Sequence, residues 1–188
     1  MILGIETSCD DTCAAVVDGE GVIRSSVVGS QGIHDRYGGV VPEVAARQHL
    51  EHLDAAIADA LAQAGTTLGD LDRIAVTQGP GLVGALLVGV ATAKALSAVT
   101  GVPLVAVDHL EAHVAANFAA PDPFEPPFLC LIASGGHTFL ARVEDRTGFT
   151  VLGATLDDAA GEAFDKGARM LGLPFPGGPH LQRAARDG

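Results

Sequence analysis

The order of the hydrophobic patterns constrains the fold of this chain most strongly. Short polar or glycine-bearing turns separate three apolar segments at the start of the sequence, Ile2–Thr7, Thr12–Asp18 and Val22–Gly29. Connections this short join antiparallel strands, so we predict a β-meander over the first thirty residues. Helical and strand patterns alternate along the chain after that point.

A long amphipathic helix is predicted directly after the meander. Apolar residues recur there at spacings of three and four, Pro42 can occupy the first turn, and Gly65 supplies a stop. The apolar stripe that defines the buried face of this helix consists of Leu50, Leu53, Ile57, Leu61 and Ala64.

Two further strands are predicted to alternate with two further helices. Arg73–Gln78 and Pro103–Asp108 have strand patterns, and His109–Phe118 has a helical one. The helix between the strands ends near Thr100 and is apolar nearly all round, which predicts that it is buried. Strands that alternate with helices require parallel crossovers. The sequence therefore predicts an α/β fold with a mixed sheet and a leading antiparallel meander, the ribonuclease H-like arrangement.

A second meander is predicted after a proline-rich connection. Four of the ten prolines fall within residues 119–127, which indicates an extended link between domains. Strand patterns then recur over residues 128–133, 137–143 and 149–156, followed by a helix over residues 157–171. This meander opens like the first but stops after its first helix. We therefore expect a first domain over residues 1–120 and the start of an incomplete second domain over residues 121–188.

Charge and composition limit the functional classes. The 188 residues carry 11 basic and 23 acidic side chains, a net charge of −12, which disfavours a basic nucleic-acid-binding module. Three cysteines, an odd number, are typical of a reducing compartment. The start has no basic signal-peptide segment, and the longest apolar stretch, Leu82–Ala93, is too short to span a membrane. We expect a cytoplasmic protein with no membrane partner.

A pair of histidines is the sharpest local feature. His109 and His113 are four residues apart, so a helix would place both imidazoles on one face, where they could bind one metal ion. Solvent-facing or hydrogen-bonded helix histidines have the same spacing, and the sequence shows no third ligand. A zinc protease is disfavoured, because Glu111 does not adjoin either histidine as that motif requires.

Three further polar positions are candidate binding sites. The turn Ser134–Thr138 contains paired glycines, whose amides can converge on a phosphate or carboxylate, although an ordinary hairpin turn has the same composition. Asp165 could accept a hydrogen bond from a ribose or amino-acid hydroxyl, or could lie on a solvated helix face. The polar turn Glu6–Thr12 could hold a metal-bound phosphate or take a proton, or could be a plain hairpin tip.

The segments taken together resemble one protein family. They occur in the order Gly4–Thr12, Gly79–Leu82, His109–His113, Ser134–Thr138, Gly161–Gly167 and Pro176–Pro179. In these motifs, and over essentially all 188 residues, the chain resembles the TsaD family of tRNA threonylcarbamoyladenosine transferases, formerly described as sialoglycoprotein endopeptidases. The resemblance implies the duplicated ribonuclease H-like fold of actin and the sugar kinases (the ASKHA fold), with the second domain truncated.

The resemblance also implies an activity and a site. The family transfers a threonylcarbamoyl group from threonylcarbamoyl-AMP to the adenosine 3′ of the anticodon in tRNAs that read codons beginning with adenine. His109 and His113 match the family's metal ligands, usually for one iron(II), with zinc as an alternative. The residues that match its substrate contacts are Ile132, Ala133, Ser134, Gly135, Gly136, Asp165 and Gly178.

The resemblance implies partners and a missing portion as well. A small TsaE-like ATPase and a silent TsaB-like paralogue are the expected protein partners, besides tRNA. The family's other ligands, including a metal-binding aspartate, belong to a C-terminal part that these residues do not match. The activity of these 188 residues by themselves, and the identity of any general base, with Asp10 and Asp11 as candidates, therefore stay open.

Three alternative functions share this fold class. A silent paralogue acting as a scaffold would have no use for the pair His109 and His113. A carbamoyltransferase of hydrogenase maturation or antibiotic synthesis usually carries extra domains, whereas the first strand here begins at Ile2. A sugar or acetate kinase would be separated by metal analysis and a phosphoryl-transfer assay.

Overall fold

A five-stranded mixed sheet forms the centre of the first of two structural units. The computed structural model describes residues 1–119 and 123–187, and the first unit comprises Met1–Gly32 and Val40–Ala112. The sheet order is β3-β2-β1-β4-β5. Its strands are β1 (Ile2–Glu6), β2 (Asp11–Val17), β3 (Ile23–Ser30), β4 (Arg73–Gly79) and β5 (Leu104–Asp108).

Strand direction in this sheet follows the length of the connections. Short turns join β1, β2 and β3, and these strands pair antiparallel. Helical connections lead to β4 and β5, and the pairs β1–β4 and β4–β5 are parallel. These pairings confirm the predicted meander and the predicted parallel crossovers. A parallel neighbour requires a long connection, because the chain must return to the same end of the sheet before the next strand begins.

The helix α1 (Pro42–Ala64) has the predicted ends but a slightly rotated buried face. Gly65 ends it in the left-handed conformation with φ of 64°, which glycine adopts without strain. Leu53 and Ile57 are buried as predicted, but Leu50 is 68% exposed. The neighbouring His49 is buried in its place. The buried face runs through Ala45, His49, Leu53, Ala56, Ile57 and Ala60.

The helix α2 (Val83–Thr100) buries one face only, so the prediction that it is buried all round is wrong. Ala85, Val88, Gly89 and Ala93 form the buried face, while Val83, Leu87 and Val99 are exposed. Small residues face the sheet because the helix lies close to it. A Cβ added at Gly89 would lie only 2.3 Å from Thr7 Oγ1.

By length and composition, α2 is the one helix in the described part of the chain that could cross a membrane. Helices of globular cores often meet the same criterion. Here α2 packs against α1 and β4 within the first unit, and the Thr7 hydroxyl donates a hydrogen bond to Ala85 O at 2.9 Å.

One hydrophobic core lies between the sheet and these helices. Alternate residues of the strands face it, as period-two patterning requires. Its best-buried large side chains are Leu3, Val16, Leu53 and Ile74, each at most 1% exposed.

The second unit contains a smaller antiparallel sheet. It comprises Ile33–Gly39 and the described residues from His113 onward, so that the division falls within α3 (His109–Ala115). The strands β6 (Phe128–Ala133), β7 (Thr138–Asp145) and β8 (Gly148–Ala154) form a meander in the order β6-β7-β8. Two helices follow, α4 (Ala160–Met170) and α5 (Gly177–Ala184).

The segment before α1 is tied to α4 of the second unit. The Arg169 guanidinium donates a hydrogen bond to Gly38 O at 2.6 Å. Residues 120–122 of the predicted proline-rich link lie outside the described residues. The predicted domain boundary near residue 120 stays a prediction.

Candidate functional site: a carboxylate–histidine cluster and a glycine turn

Three parallel strands bring a carboxylate, a hydroxyl and an imidazole to one edge of the first sheet. Glu6 is the last residue of β1, Thr77 lies near the end of β4, and His109 directly follows β5. Because neighbouring parallel strands end at the same edge of a sheet, these side chains meet there although Glu6 and His109 are 103 residues apart.

The Glu6 carboxylate is the centre of this cluster. Its Oε2 lies 3.0 Å from His109 Nδ1 and accepts a hydrogen bond of 2.6 Å from Thr77 Oγ1. Its Oε1 accepts a hydrogen bond from the backbone N–H of Ser8. The Ser8 hydroxyl oxygen also lies 3.1 Å from His109 Nδ1. Glu6 and His109 are both partly buried.

These contacts set the charges of the cluster. Burial raises the pKa of Glu6, but hydrogen bonds from His109, Thr77 and Ser8 outweigh it and lower the pKa to about 2. The hydrogen bond to Glu6 raises the pKa of His109 against the opposing effect of burial. An ionised carboxylate can only accept hydrogen bonds, so the Nδ1 atom of His109 carries the hydrogen.

The helix α3 presents the two predicted histidines one turn apart. Asp108 caps its start, since Oδ1 accepts hydrogen bonds from the backbone N–H groups of Leu110 at 2.8 Å and Glu111 at 3.2 Å. The predicted helix at the histidine pair is therefore present, and the spacing places His109 and His113 on one face. Over residues 1–119 and 123–187, no group of three or more histidine, cysteine or acidic side chains is arranged to hold a metal ion.

The predicted glycine turn joins β6 to β7 in the second unit. Ser134 closes it, because its N–H donates to His137 O at 2.8 Å and its Oγ accepts from His137 N–H at 3.0 Å. Gly135 and Gly136 at the tip are exposed. Within the described residues, their amides take part in no backbone hydrogen bond of the turn.

The start of α4 packs directly against this turn. Gly161 N–H donates to Ser134 O at 3.0 Å. A Cβ at Gly161 would lie 2.8 Å from both Ser134 O and Gly135 Cα, so only glycine allows the helix to approach this closely. The positive end of a helix dipole therefore adjoins the two exposed amides. Of the other predicted contacts in this region, Ala133 is exposed, whereas the Ile132 side chain is buried in the sheet.

Asp165 and Gly178 are brought close together at the start of α5. Asp165 Oδ1 accepts a hydrogen bond of 2.6 Å from Gly177 N–H. Gly177 packs tightly on α4, since an added Cβ would lie 2.7 Å from Ala168 Cβ. At Gly178 an added Cβ would meet nothing within 4 Å, so this residue faces open space. Lys166, in contrast, lies on the solvent side and pairs with Asp158 and Glu162.

Sequence reasoning missed two buried histidines, His34 at 1% and His49 at 0% exposed. His49 on α1 is fully buried, with Nδ1 2.8 Å from Thr12 Oγ1 and Nε2 3.0 Å from Cys9 O. Because the Cys9 carbonyl only accepts, Nε2 donates and Nδ1 accepts from the Thr12 hydroxyl. Burial lowers the pKa of His49. The sequence did contain a signal for this burial, because His49 lies four residues before Leu53 and therefore on the same face of the helix.

The fold defines the class of protein. Similar solved structures include YeaZ from Pseudomonas aeruginosa (TM-score 0.54, 18% identity, 80% of this chain and 68% of that one). A ROK hexokinase from Thermus thermophilus also matches (TM-score 0.51, 18% identity, 92% and 65%). The chain therefore has an α/β fold of the ASKHA type, as predicted.

The family follows from sequence comparison. The family model described as TsaD, tRNA N6-adenosine threonylcarbamoyltransferase, matches residues 22–188. Relatives of that name from Clostridium perfringens and Clostridium botulinum are each 53% identical over the whole chain. The chain belongs to the TsaD family, which confirms the resemblance drawn from its motifs. It spans 56% and 55% of the length of these two relatives.

Proposed function

We propose that this chain forms part of a tRNA N6-adenosine threonylcarbamoyltransferase. The reaction would transfer threonylcarbamoyl from threonylcarbamoyl-AMP to the adenosine 3′ of the anticodon in tRNAs that read codons beginning with adenine. Family membership supports the reaction class. The structural observation that carries the proposal is the exposed turn at Gly135 and Gly136 against the start of α4.

The turn has the chemistry to bind the acyl-adenylate. Two exposed amides beside a helix N-terminus favour an anionic oxygen such as that of the adenylate phosphate. The backbone of Ile132 and Ala133 leads into this turn at the end of β6. In this proposal Ser134, Gly135 and Gly136 hold the phosphate or carboxylate, while Asp165 and Gly178 contact the remainder of the substrate. Asp165 Oδ1 already accepts the Gly177 N–H, so Oδ2 is the oxygen assigned to a substrate hydroxyl.

His109 and His113 are proposed to bind one metal ion, iron(II) with zinc as the alternative. The fit is supported by the contact of His109 Nδ1 with the Glu6 carboxylate, since metal-binding histidines usually donate their other ring N–H to such a group. Two imidazoles suit iron and zinc better than magnesium or calcium. A bound ion would supply a Lewis acid that polarises the carbamoyl carbonyl. The described residues contribute His109 and His113, so further ligands are needed.

The charge of the chain favours protein partners for tRNA binding. A net charge of −12 repels a phosphate backbone unless a local or partner surface reverses the field. We therefore propose that a small TsaE-like ATPase and a silent TsaB-like paralogue act with this chain in the cytoplasm. Part of the tRNA-binding surface would come from them.

Transfer activity tests the proposal. We would join residues 1–188 to the remaining portion of the C. perfringens relative and incubate the chimera with partners, tRNA and threonylcarbamoyl-AMP. Mass spectrometry of nucleosides would measure the modified adenosine. His109→Ala and His113→Ala are each expected to lower the transfer rate by more than about a hundredfold, because a Lewis acid lowers the barrier by several kcal/mol.

The matched control is His52→Ala, which removes an exposed histidine from α1 of the first unit. It should leave transfer within about twofold of the wild type, as surface substitutions away from a site usually do. Unchanged transfer and unchanged metal content in both His109→Ala and His113→Ala would contradict the metal role. No transfer by a folded wild-type chimera that binds its partners and metal would contradict the proposed reaction.

A further inference from the structure

We propose that Glu6 is a positioning residue that fixes the ring orientation and tautomer of His109. By accepting the hydrogen on Nδ1, its carboxylate directs the imidazole lone pair to Nε2. Contacts within the first unit set the tautomer, whereas its consequence for metal binding rests on the proposed function.

The Glu6 carboxylate is itself held in place from two sides. Thr77 Oγ1 donates to Oε2 at 2.6 Å, and the Ser8 N–H donates to Oε1. Both donors belong to well-buried residues next to the end of the sheet. The carboxylate therefore has little freedom to rotate away from His109. The two hydrogen bonds hold Oε2 at 3.0 Å from His109 Nδ1.

The surroundings of Nδ1 favour a donor at that atom. Its neighbours include the Glu6 carboxylate and the Ser8 hydroxyl oxygen at 3.1 Å, and both can accept a hydrogen bond. In a neutral imidazole, one nitrogen carries the hydrogen and the other the lone pair. A hydrogen bond from Nδ1 to a carboxylate selects the tautomer whose lone pair is on Nε2.

The same arrangement would act on a bound metal ion. A carboxylate behind the imidazole increases its basicity as a ligand, and the loss of such a group typically lowers metal affinity by about 10- to 100-fold. A purely structural role for Glu6, joining β1 to β4 and α3, would change stability but not the tautomer of a ring that stays folded in place.

The tautomer is measured first, on the metal-free 188-residue chain. Long-range proton–nitrogen spectra at mildly alkaline pH distinguish a hydrogen on Nδ1 from one on Nε2. We expect Nδ1–H for His109 in the wild type. Glu6→Ala should shift the population toward Nε2–H, and Glu6→Gln, which keeps one acceptor oxygen, should retain more of the Nδ1–H form. An unchanged tautomer in folded Glu6→Ala would overturn the proposal.

Metal affinity is measured second, by titration of the chimera with Zn²⁺ and Co²⁺, because residues 1–188 contribute His109 and His113 and further ligands are needed. Glu6→Ala should bind about 10- to 100-fold more weakly, and Glu6→Gln should fall between it and the wild type. The matched control is Glu111→Ala, which removes an exposed carboxylate between the two histidines. Circular dichroism checks that every variant is folded.

The outcomes separate the two proposals. Equal losses of metal affinity in Glu6→Ala and Glu111→Ala would show that removing any nearby negative charge weakens metal binding. That result would contradict the positioning role of Glu6. A folded wild-type chimera that binds neither ion, alongside a His109 tautomer that depends on Glu6, would contradict the metal role in the proposed function. It would leave the orientation of His109 by Glu6 supported.

Discussion

The two units use their sheets differently. In the first unit, alternate strand residues and the helices α1 and α2 enclose a core that includes Leu3 and Ile74. In the second unit, Ile132 and Val143 are buried on one side of the sheet, whereas Leu129 and Leu131 point outward and are 63% and 66% exposed. Because burial of apolar surface drives folding, we infer that the described part of the first unit supplies most of the stability. The carboxylate–histidine cluster formed by Glu6, Thr77 and His109 lies in this more stable first unit.

The strongest test of this difference is a pair of identical truncations. Leu53→Ala removes a side chain that is 1% exposed in the first core, and should lower the free energy of unfolding by about 3 kcal/mol. Leu131→Ala makes the same chemical change on the exposed face of β6. It should cost less than about 0.5 kcal/mol. Urea unfolding followed by circular dichroism measures both, since the chain has no tryptophan.

Similar losses in the two variants would break the comparison. They would mean that the outer face of β6 is covered in solution, by a second copy of the chain for example. Sedimentation of the wild type and of Leu131→Ala at several concentrations would then reveal the association.

A second pair of substitutions asks whether the second unit is well packed where α4 meets the glycine turn. Gly161→Ala places a Cβ within 2.8 Å of Ser134 O, a backbone atom that cannot move without opening the turn. We expect a loss of about 2 kcal/mol in unfolding free energy, in spite of the better helix propensity of alanine. Thermal unfolding by circular dichroism measures it.

Gly136→Ala is the matched control for this test. An added Cβ there meets nothing within 4 Å, so the change in stability should stay below about 0.5 kcal/mol. Equal stability of Gly161→Ala and Gly136→Ala would contradict this expectation. It would show that the turn backbone moves to admit the added Cβ at little cost, so that the second unit is not tightly packed at its proposed substrate site.

Local patterns predicted most elements of both units, although no pattern predicted α5. The spacing of apolar residues located α1 and its end at Gly65, and the four-residue spacing of His109 and His113 placed them correctly on one helix. These features depend on neighbours in the sequence, which periodicity reports directly. The face of α2 was not predictable in the same way, because few polar residues mark its exposed side.

Features that depend on strand order were beyond local patterns. The contact of Glu6 with His109 exists because β1, β4 and β5 lie side by side and end at one edge. Nothing in the sequence around Glu6 indicates a partner 103 residues away. The glycine turn was predicted, whereas the close approach of Gly161 that holds it was not, because it depends on how α4 packs.

A buried histidine of the first unit gives the last and smallest expected effect. In the described residues of the first unit, His49 is fully buried against Thr12 and Cys9, with Asp10 and Asp11 nearby. Burial lowers the pKa of His49, so the unfolded chain takes up the proton more readily than the folded one. The stabilisation is therefore present above the ordinary histidine pKa of about 6.5 and declines as the pH falls below it.

We expect the unfolding free energy of His49→Gln to fall less steeply between neutral and mildly acidic pH than that of the wild type. The difference should be smaller than the loss of unfolding free energy in Leu53→Ala. His52→Gln, on the exposed face of the same helix, should keep the wild-type slope, and equal slopes in all three proteins would show that His49 is not the group responsible.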